Sequence, residues 1–390
     1  MSEILIVSNY FPPERGAAAN RIGRLAKGLS ERGFKVRVVC PLPNYPEGKI
    51  FTGYKGRFSV SEKVGDITVT RLYISPSKSA NPVKRIFSIA SFAICLKMYL
   101  LFAKLPKTVI VQSPPLLLSF ISVAMLKLRR RKIILNISDL WPLAAIELGA
   151  LKEKSIGHRI ALFFERFIYR NADTIIGQSR EILQHVGRIA HEKPAHLYRN
   201  FPETFSPSTP GSGKIKIFYA GLLGVAQGVL EACQNLEAIP NVEFHIFGDG
   251  AEKESIVQYI ANTPSKHLFF HGMFPQKELA RHIASFDIAF VPLRTRIYGS
   301  VPSKIFEYAA QGFPILYCGG GEGGEIVDEL QLGWVCEPGD YARLNAIISE
   351  VASEPRQEIE SRKIKVFEAA QSHFDIGGQM EDLLKKRAFQ

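Results

Sequence analysis

The first half of the chain alternates short apolar segments with longer amphipathic ones. Residues 19–32 carry apolar positions at helical spacing and precede Gly33, a residue type that often ends a helix. Four shorter segments are almost wholly apolar, which is typical of strands buried on both faces. They are residues 4–7, 36–39, 108–111 and 133–136. Because strands alternate with helices, the pattern predicts a parallel sheet with helices on both faces.

The pattern is interrupted near residue 200 and then starts again. Residues 200–213 are rich in Pro, Ser and Gly and are predicted to be a linker. Five further apolar strands follow it, at residues 216–220, 243–247, 268–271, 288–291 and 314–317. The predicted fold is therefore α/β, with two Rossmann-like domains facing across a cleft. Ligands of such sheets bind beyond the carboxyl ends of the strands, so we expect the active site between the domains.

The domain boundaries follow from the same pattern. We predict an N-terminal domain at residues 1–199 and a C-terminal domain at residues 214–371. Residues 372–390 are predicted to be a C-terminal helix, and the pattern is compatible with its return to the N-terminal domain. Residues 3–7 already have the pattern of a strand, so no leader peptide is expected.

Composition places the chain among globular proteins. Apolar residues make up 46% of it and charged residues 22%. The five cysteines are scattered, without paired spacing, so neither a disulfide framework nor a zinc site is expected, and a reducing compartment fits. They are Cys40, Cys95, Cys233, Cys318 and Cys336.

The net charge of +12 is unevenly distributed. Residues 1–200 contain 32 Lys and Arg against 13 Asp and Glu, whereas residues 201–390 contain 17 against 24. A basic half indicates an anionic partner, either nucleic acid or a membrane surface. The alternative is a basic surface that is simply solvated. No nucleic-acid-binding motif accompanies the charge, so nucleic acid is not expected as a partner.

Two apolar segments in the basic half favour a membrane. Residues 86–105 and 116–128 are mostly apolar and are flanked by Lys and Arg. The first contains lysines and the second is short, so helices lying in the interface of an anionic membrane fit better than spanning helices. The alternative is that both are core helices. We expect a protein bound peripherally at the inner, cytoplasmic face of the bacterial membrane, with a lipid-diphosphate-linked acceptor near the first domain.

Two candidate ligand sites follow strands of the first half. Gly16 and Ala17 lie between the first strand and its helix, where small residues and free N–H groups suit a phosphate or a sugar hydroxyl. An ordinary turn is the alternative. Asp139 follows the strand at residues 133–136 and is a candidate to accept a hydrogen bond from an acceptor hydroxyl or to act as its base. The alternative is a helix N-cap, with Pro142 in the first turn.

The most informative segment is residues 302–315. Ser303 is predicted to cap a helix that ends at Gly312. The N-terminus of this helix would hold a diphosphate, and Lys304 would add a full charge. Glu307 lies one turn further on, within reach of ribose hydroxyls. The alternative for Lys304 and Glu307 is ordinary polarity on a solvated helix.

These segments together resemble the retaining glycosyltransferases of GT-B fold, glycosyltransferase family four. Matching stretches include Asp-Leu-Trp-Pro at 139–142, Tyr-Ala-Gly at 219–221, Phe-Gly-Asp-Gly at 247–250 and Pro-Ser-Lys-x-x-Glu-Tyr at 302–308. The first and last of these look like the branch that builds bacterial surface polysaccharides and includes N-acetylfucosamine transferases. The resemblance implies a nucleotide-diphosphate sugar, with UDP as the expected nucleotide, as donor and co-substrate. The residues that we expect to bind this donor, besides those above, are Gly221, Gly250, Met273, Phe274, Arg294, Gly299, Ser300 and Val301.

The chain departs from the family pattern at two places. The family carries a Glu-x7-Glu pair; Glu307 matches the second glutamate, but Gly299 stands at the first. Backbone N–H groups of residues 299–301 are expected to replace the missing sugar contact. No cation follows Gly221, so the diphosphate charge would fall to Lys304, Arg294 or Arg296.

The family mechanism implies retention by front-face attack, without a protein nucleophile. Asp-x-Asp does not occur in the chain, which fits a metal-independent reaction without a cofactor. Two other functions stay open. One is a non-catalytic membrane-associated scaffold on the same fold, suggested by the missing glutamate and cations. The other is a sugar-nucleotide 2-epimerase, which shares the two-domain architecture.

Overall fold

A computed structural model describes residues 2–14, 16–45, 47–77, 82–263 and 267–386. The chain divides into two units with dense internal contacts. The first unit comprises Met1–Arg199 together with Gly377–Gln390, and the second comprises Asn200–Ile376.

The first unit contains eight strands and six helices before residue 200, among the described residues. The strands are β1 (Glu3–Val7), β2 (Lys35–Pro41), β3 (Ser59–Val64), β4 (Ile67–Leu72), β5 (Thr108–Ser113), β6 (Lys132–Ile137), β7 (Thr174–Gly177) and β8 (Ala195–Leu197). The helices are α1 (Ala17–Glu31), α2 (Pro82–Phe102), α3 (Leu116–Leu128), α4 (Leu143–Glu147), α5 (Ile156–Asn171) and α6 (Arg180–Ile189).

The strands of the first unit form one sheet in the order β3-β4-β2-β1-β5-β6-β7-β8. All neighbouring strands are parallel except β3 and β4. The central strands are apolar because helices cover both faces, and Ile4, Ile6, Val38 and Ile110 lie in one core cluster with apolar side chains of α1. The strand order reverses between β1 and β5, which is where such a sheet leaves a crevice for a ligand.

The second unit contains six strands and seven helices in its described part. The strands are β9 (Ile215–Leu222), β10 (Val242–Asp249), β11 (Leu268–Gly272), β12 (Ile288–Pro292), β13 (Ile315–Cys318) and β14 (Gly333–Cys336). The helices are α7 (Val229–Asn235), α8 (Lys253–Asn262), α9 (Gln276–Ile283), α10 (Ser303–Ala309), α11 (Gly321–Glu329), α12 (Tyr341–Ser353) and α13 (Arg356–His373).

The second sheet is entirely parallel, in the order β11-β10-β9-β12-β13-β14. Counted within the unit, this is the order 3-2-1-4-5-6 of a Rossmann sheet, and its reversal lies between β9 and β12. The predicted fold class, two α/β domains with Rossmann-like parallel sheets, is confirmed.

The last described helix, α14 (Ile376–Lys385), packs on the first unit. Met380 and Leu383 join the core cluster of β1, β2 and α1. The Arg199 N–H donates to Gln379 Oε1 at 2.8 Å, and Arg32 Nη2 donates to the Gly377 carbonyl at 3.1 Å. The chain therefore enters the first unit again at Gly377, whereas Phe374 still lies in the core of the second. Residues 387–390 of the predicted C-terminal helix lie outside the described residues.

Residues 200–213, predicted to be a linker, pack against the second unit. Phe201 is buried between Phe306 and Phe374, with ring centroids 5.1 and 5.0 Å away. The backbone N–H groups of Ser206 and Ser208 donate to carbonyls just after α10. The segment rich in Pro and Ser is therefore an extended segment packed on the second unit rather than a free linker.

Cys318 and Cys336 form a disulfide bond, which contradicts the expectation of unpaired cysteines. The two residues are direct partners in the register of β13 and β14, and their Cα atoms are 4.7 Å apart. Their separation of 18 residues in sequence gives no sign of this contact, because only the pairing of the two strands brings them together.

Candidate functional site

The carboxyl ends of β9 and β10 approach each other unusually closely in the second unit. A Cβ atom on Gly248 would lie 1.9 Å from the Gly221 carbonyl oxygen, and one on Gly250 would lie 2.4 Å from the Leu223 carbonyl oxygen. Both distances are far below van der Waals contact. Glycine is therefore required where the Phe-Gly-Asp-Gly segment passes the end of β9, and two predicted donor residues, Gly221 and Gly250, meet at this edge.

The helix α10 begins one residue earlier than a cap at Ser303 would require. Its N-cap is Pro302, Ser303 is its first helical residue, and no side chain caps it. The prediction that Ser303 caps this helix is thus wrong, because a proline already ends the preceding extended segment. The helix also stops at Ala309 rather than Gly312, and Gly312 then turns the chain with a φ of +75°.

Lys304 is anchored against the end of β9. Its Nζ donates to the Ala220 carbonyl and lies 3.5 Å from the Tyr308 hydroxyl, which donates to the same carbonyl at 2.9 Å. The ammonium also lies over the Tyr219 and Tyr308 rings, 5.7 and 5.5 Å from their centroids. Burial lowers the pKa of Lys304, although Glu307 opposes the shift. The structure thus holds a partly desolvated cation at a fixed position.

Gly221 makes room for this lysine. A Cβ atom at that position would lie 2.5 Å from Lys304 Nζ. The sequence motif Tyr-Ala-Gly and the motif Pro-Ser-Lys, more than 80 residues apart, are therefore parts of one arrangement.

Glu307 lies on the next turn of α10 and is half-buried. Its carboxylate makes no hydrogen bond or ion pair with any residue that the structure describes. It differs in this from Arg294, which forms an ion pair with Glu231 at 2.8 Å. Glu307 is the acidic group beside Lys304 that is available to a ligand, whereas the guanidinium of Arg294 is already engaged by a carboxylate.

The remaining predicted donor residues are spread around the same edge. Gly299 has a φ of +83°, and the Ser300 N–H donates to the Ile297 carbonyl at 3.1 Å. That N–H is therefore used within a turn in this structure. Val301 is buried in the core beneath α10. The roles predicted for these residues stay predictions.

Met273 and Phe274 directly follow β11. Met273 is exposed, whereas Phe274 packs on Phe247 of β10, with ring centroids 5.9 Å apart. Both lie at the carboxyl edge of the sheet, as Gly221 and Gly250 do.

In the first unit, Gly16 and Asp139 follow β1 and β6. Gly16 is the N-cap residue of α1, with a φ of +135°, and Ala17 is the first helical residue. No side chain caps α1, so its first N–H groups lack a partner from a capping side chain. Asp139 does not cap the helix after it, because the N-cap of α4 is Pro142 and no side-chain bond is made there. The capping alternative for Asp139 is therefore wrong. Arg15, next to Gly16, lies outside the described residues.

Arg21 joins the two segments and was not anticipated from the sequence. It is only 3% exposed; its Nη2 donates to Asn136 Oδ1 at 2.8 Å and its Nη1 to Gln178 Oε1 at 3.3 Å. Weaker contacts reach the carbonyl of Ile137, at the end of β6. One signal was available, since an arginine stands among the apolar positions of α1 that face the core.

Electrostatics links Arg21 to Asp139. Burial lowers the pKa of Arg21 to about 10, although Tyr198 and Asp139 oppose the shift. Burial raises the pKa of Asp139, whereas a hydrogen bond from Ser138 and the charge of Arg21 lower it. Asp139 is thus a carboxyl group whose proton affinity is tuned by its surroundings, as expected of a group that exchanges a proton or a strong hydrogen bond.

The apolar segment 86–105 forms a helix with two apolar faces. Phe92, Leu96 and Leu100 of α2 are fully buried, whereas Phe87 and Phe102 are 65% and 78% exposed. The alternative that both apolar segments are core helices therefore fails for α2. It fits α3 better, since six of its 13 residues are buried, although Leu128 at its end is exposed. Further exposed apolar side chains on α2 and on α5, which also packs on α3, are Ile86, Ile94, Met98, Ile156, Ile160 and Phe163.

Within the described ranges, no helix combines the length and the apolar character needed to cross a bilayer.

Two models of known protein families match successive parts of the chain. A model described as a glycosyl transferase 4-like domain matches residues 16–197, and one described as glycosyl transferases group 1 matches residues 214–354. WbjE of Pseudomonas aeruginosa, named as a glycosyltransferase, is 28% identical over 238 residues, covering 56% of this chain and 60% of that protein. WcaI of Escherichia coli K12, named as a colanic acid biosynthesis glycosyl transferase, is 24% identical over 340 residues, covering 80% and 81%. The first of these matches thus spans less than two thirds of the relative's length.

Solved structures show the same fold at low identity. Sucrose-phosphate synthase from Thermosynechococcus elongatus superposes with a TM-score of 0.75 at 16% identity, over 99% of both chains. HepE from Anabaena, solved in complex with UDP, superposes with a TM-score of 0.69 at 14% identity, over the full length of both chains. With two family models in succession and this fold, the chain belongs to the GT-B glycosyltransferases, with a glycosyl transferase 4-like domain followed by a group 1 domain.

Proposed function

We propose that this protein is a retaining glycosyltransferase that moves a sugar from a UDP-sugar to a lipid-linked or polysaccharide acceptor in bacterial surface glycan synthesis. The observation that carries the proposal is the pairing of an anchored cation, Lys304, with the unengaged carboxylate of Glu307 at the switch point of the second sheet. UDP is favoured as the nucleotide because HepE, of the same fold, was solved with UDP. The branch that includes N-acetylfucosamine transferases stays a prediction.

The chemistry assigned to this edge is stabilisation of a leaving diphosphate. The bond between the anomeric carbon and the diphosphate oxygen breaks, the acceptor oxygen takes its place on the same face, and the proton of the acceptor hydroxyl passes to the carboxylate of Asp139. A fixed cation in a poorly hydrated site stabilises the charge that develops on the diphosphate. Lys304 supplies that cation, and Glu307 binds the ribose hydroxyls. No metal ion is part of the proposed mechanism.

Glu307→Gln is expected to raise the KM for the donor about 10- to 100-fold and to change kcat less. The amide keeps the shape of the side chain but loses the charge, and a hydrogen bond to a charged group contributes about 1.5–3 kcal/mol. Initial rates of donor hydrolysis or transfer at several UDP-sugar concentrations measure the effect, together with calorimetric titration of UDP.

Glu329→Gln, at the exposed end of α11, is the matched control and should behave as wild type. Normal donor kinetics in Glu307→Gln would remove the assignment of this carboxylate. If wild-type protein binds none of the UDP-, GDP- and dTDP-sugars, the non-catalytic scaffold is the better description. A soluble UDP-sugar converted without any acceptor to its 2-epimer would favour the epimerase.

The acceptor is assigned to the first unit, near Gly16, Ala17 and Asp139. The exposed apolar side chains of α2 and α5 stand beside basic residues of the same unit, including Lys97, Lys104 and Arg166, which are exposed. An apolar face surrounded by cations is the combination that binds anionic lipid headgroups and the acyl region beneath them. We therefore place the protein peripherally on the inner face of the bacterial cytoplasmic membrane.

The double variant Phe87→Ser/Phe102→Ser is expected to bind vesicles containing phosphatidylglycerol at least tenfold more weakly than wild type. Burial of one such side chain contributes about 1.5–3 kcal/mol when complete, and both rings are mostly exposed. Flotation of the protein with phosphatidylglycerol and with pure phosphatidylcholine vesicles measures the effect.

Ile364→Ser, an exposed apolar residue of α13 in the second unit, is the control. Wild-type protein that floats equally with both vesicle types, or with neither, would contradict the membrane assignment while leaving the donor site untouched.

A further inference from the structure

The first unit contains a pocket at the carboxyl ends of β2 and β4 that none of the predicted site residues lines. Its volume is about 330 Å³, and its apolar wall includes Leu42, Ile50, Tyr54, Phe58 and Tyr73. This volume lies at the lower end of the range of ligand pockets, about 300–1,000 Å³. The pocket follows β2 and β4, whereas Gly16 and Asp139 follow β1 and β6 of the same sheet. Because these four strands run in the same direction, the pocket opens at the carboxyl edge at which Gly16 and Asp139 lie.

Two aromatic rings in this pocket are exposed without a covering group. Phe58 is 70% exposed and Tyr73 is 39% exposed, although the two rings stack with centroids 5.7 Å apart and planes within 9°. A single exposed ring is ordinary, but a stacked pair that lines a concave surface offers a preformed apolar site for a ligand.

The wall is held by polar contacts that involve the buried side chain of Arg71. The Tyr54 hydroxyl donates to the carboxylate of Glu62 at 3.0 and 3.1 Å, and the Arg71 guanidinium lies 5.4 Å from the centre of the Tyr54 ring. Arg71 is completely buried; it also bonds to Glu62 and donates to the Pro12 carbonyl. The loop that forms the pocket is thus tied to the loop after β1, and the pocket exists before any ligand arrives.

The polar groups of the pocket select the chemistry of the ligand. Lys55 and Arg57 line it, are exposed, and have no side-chain partner among the described residues. No carboxylate or amide side chain belongs to the described lining, and the Tyr54 hydroxyl is already used. A sugar ring would find few neutral hydrogen-bonding partners here. An apolar body that carries an anionic group fits both the rings and the two cations.

We infer that this pocket binds a lipid phosphate, with the first part of its hydrocarbon chain against Phe58 and Tyr73 and its phosphate or diphosphate on Lys55 and Arg57. The inference rests on the proposed function, since it assigns a site to the lipid carrier of the acceptor. It is separate from the membrane face of α2, which lies on a different element and would contact many lipids rather than one.

Farnesyl diphosphate, below its micelle concentration, is the probe. Calorimetric titration of the full chain is expected to show one site. Phe58→Ser should weaken binding about tenfold, because a largely exposed ring loses only its contact with the chain. Lys55→Ala/Arg57→Ala should weaken binding of farnesyl diphosphate at least tenfold and leave binding of farnesol unchanged. Ile364→Ser, at an exposed apolar position of α13 in the second unit, should bind as wild type.

Three results would overturn the inference. They are unchanged binding in Phe58→Ser, equal weakening in Ile364→Ser, and binding of inorganic pyrophosphate as tight as that of farnesyl diphosphate, which would indicate a free-phosphate site. A parallel titration with UDP separates this inference from the proposed function. A protein that binds UDP but not farnesyl diphosphate would refute the pocket assignment alone. A protein that binds farnesyl diphosphate but not UDP would refute the donor site alone.

Discussion

Lys304→Met is expected to reduce glycosyl transfer about 100- to 1,000-fold without weakening the fold. The reduction is the usual effect of removing one preorganised group that stabilises charge in a transition state. The fold should not suffer, because the Tyr308 hydroxyl still donates to the Ala220 carbonyl, 2.9 Å away, after the ammonium is gone. Transfer rates at saturating donor and urea unfolding measure the two effects.

The pH dependence of unfolding sharpens this prediction. Burial lowers the pKa of Lys304 in the folded state, so the unfolded chain binds more protons as the pH approaches the usual lysine range. The charged lysine therefore lowers the free energy of unfolding at neutral pH. This destabilisation becomes smaller as the pH rises through the pKa of Lys304 in the folded state. Methionine removes this dependence, and the free energy of unfolding at pH 7 should be equal to or above that of wild type.

Lys365→Met, on the exposed side of α13, is the control and should leave both transfer and stability unchanged. A Lys304→Met protein that transfers sugar at the wild-type rate would refute the role of the cation. One that loses activity together with most of its stability would make Lys304 a structural residue instead.

The fold could be predicted from the sequence because its strands are buried on both faces. A strand such as β1 or β12 is buried on both faces and therefore appears in the sequence as a continuous apolar run, whereas the helices between strands have one apolar face. The strand order could not be read in this way, since apolar runs do not specify which neighbour they pair with. The packing of residues 200–213 on the second unit could not be predicted either, because Pro and Ser occur in packed extended segments as well as in free linkers.

The donor edge was found through its motif, but its internal contacts were not. Lys304 and Glu307 stand out because both belong to the Pro-Ser-Lys-x-x-Glu-Tyr motif at residues 302–308 and share one short helix. The bond from Lys304 to the Ala220 carbonyl depends on the crossing of α10 over β9, which joins residues 84 positions apart. Arg21 was missed for a related reason, since its partners lie much later in the chain, Asn136 in β6 and Gln178 just after β7.

The Phe58 and Tyr73 pocket shows a different limit of sequence patterns. Both residues lie beside strand segments whose alternation is compatible with ordinary surface positions. Only the antiparallel pairing of β3 with β4, in which Ser59 faces Leu72, brings the two rings together. A binding surface built from single exposed residues leaves no motif in either segment.

Asp139→Asn is expected to reduce transfer to the acceptor about 100-fold or more and to leave UDP binding unchanged. A group that takes a proton or a strong hydrogen bond from the attacking hydroxyl contributes about 100- to 10,000-fold, and asparagine cannot accept the proton. Asp66→Asn, in the exposed turn between β3 and β4, is the matched control. Steady-state transfer rates and UDP titration measure the effect, and equal losses in both would place Asp139 in the fold rather than in the reaction.

The pH profile of transfer tests the same assignment through Arg21. Burial raises the pKa of Asp139, so wild-type transfer should fall as the pH drops through a value above that of an ordinary aspartate. The charge of Arg21 opposes this shift, and Arg21→Met should therefore move the acid limb to higher pH, whereas Arg21→Lys, which keeps the charge, should move it less. A purely structural arginine would lower transfer at every pH in both variants without moving the limb. An acid limb that persists unchanged in Asp139→Asn would show that another group carries the titration, and the role of Asp139 as acceptor of the hydroxyl proton would then fail.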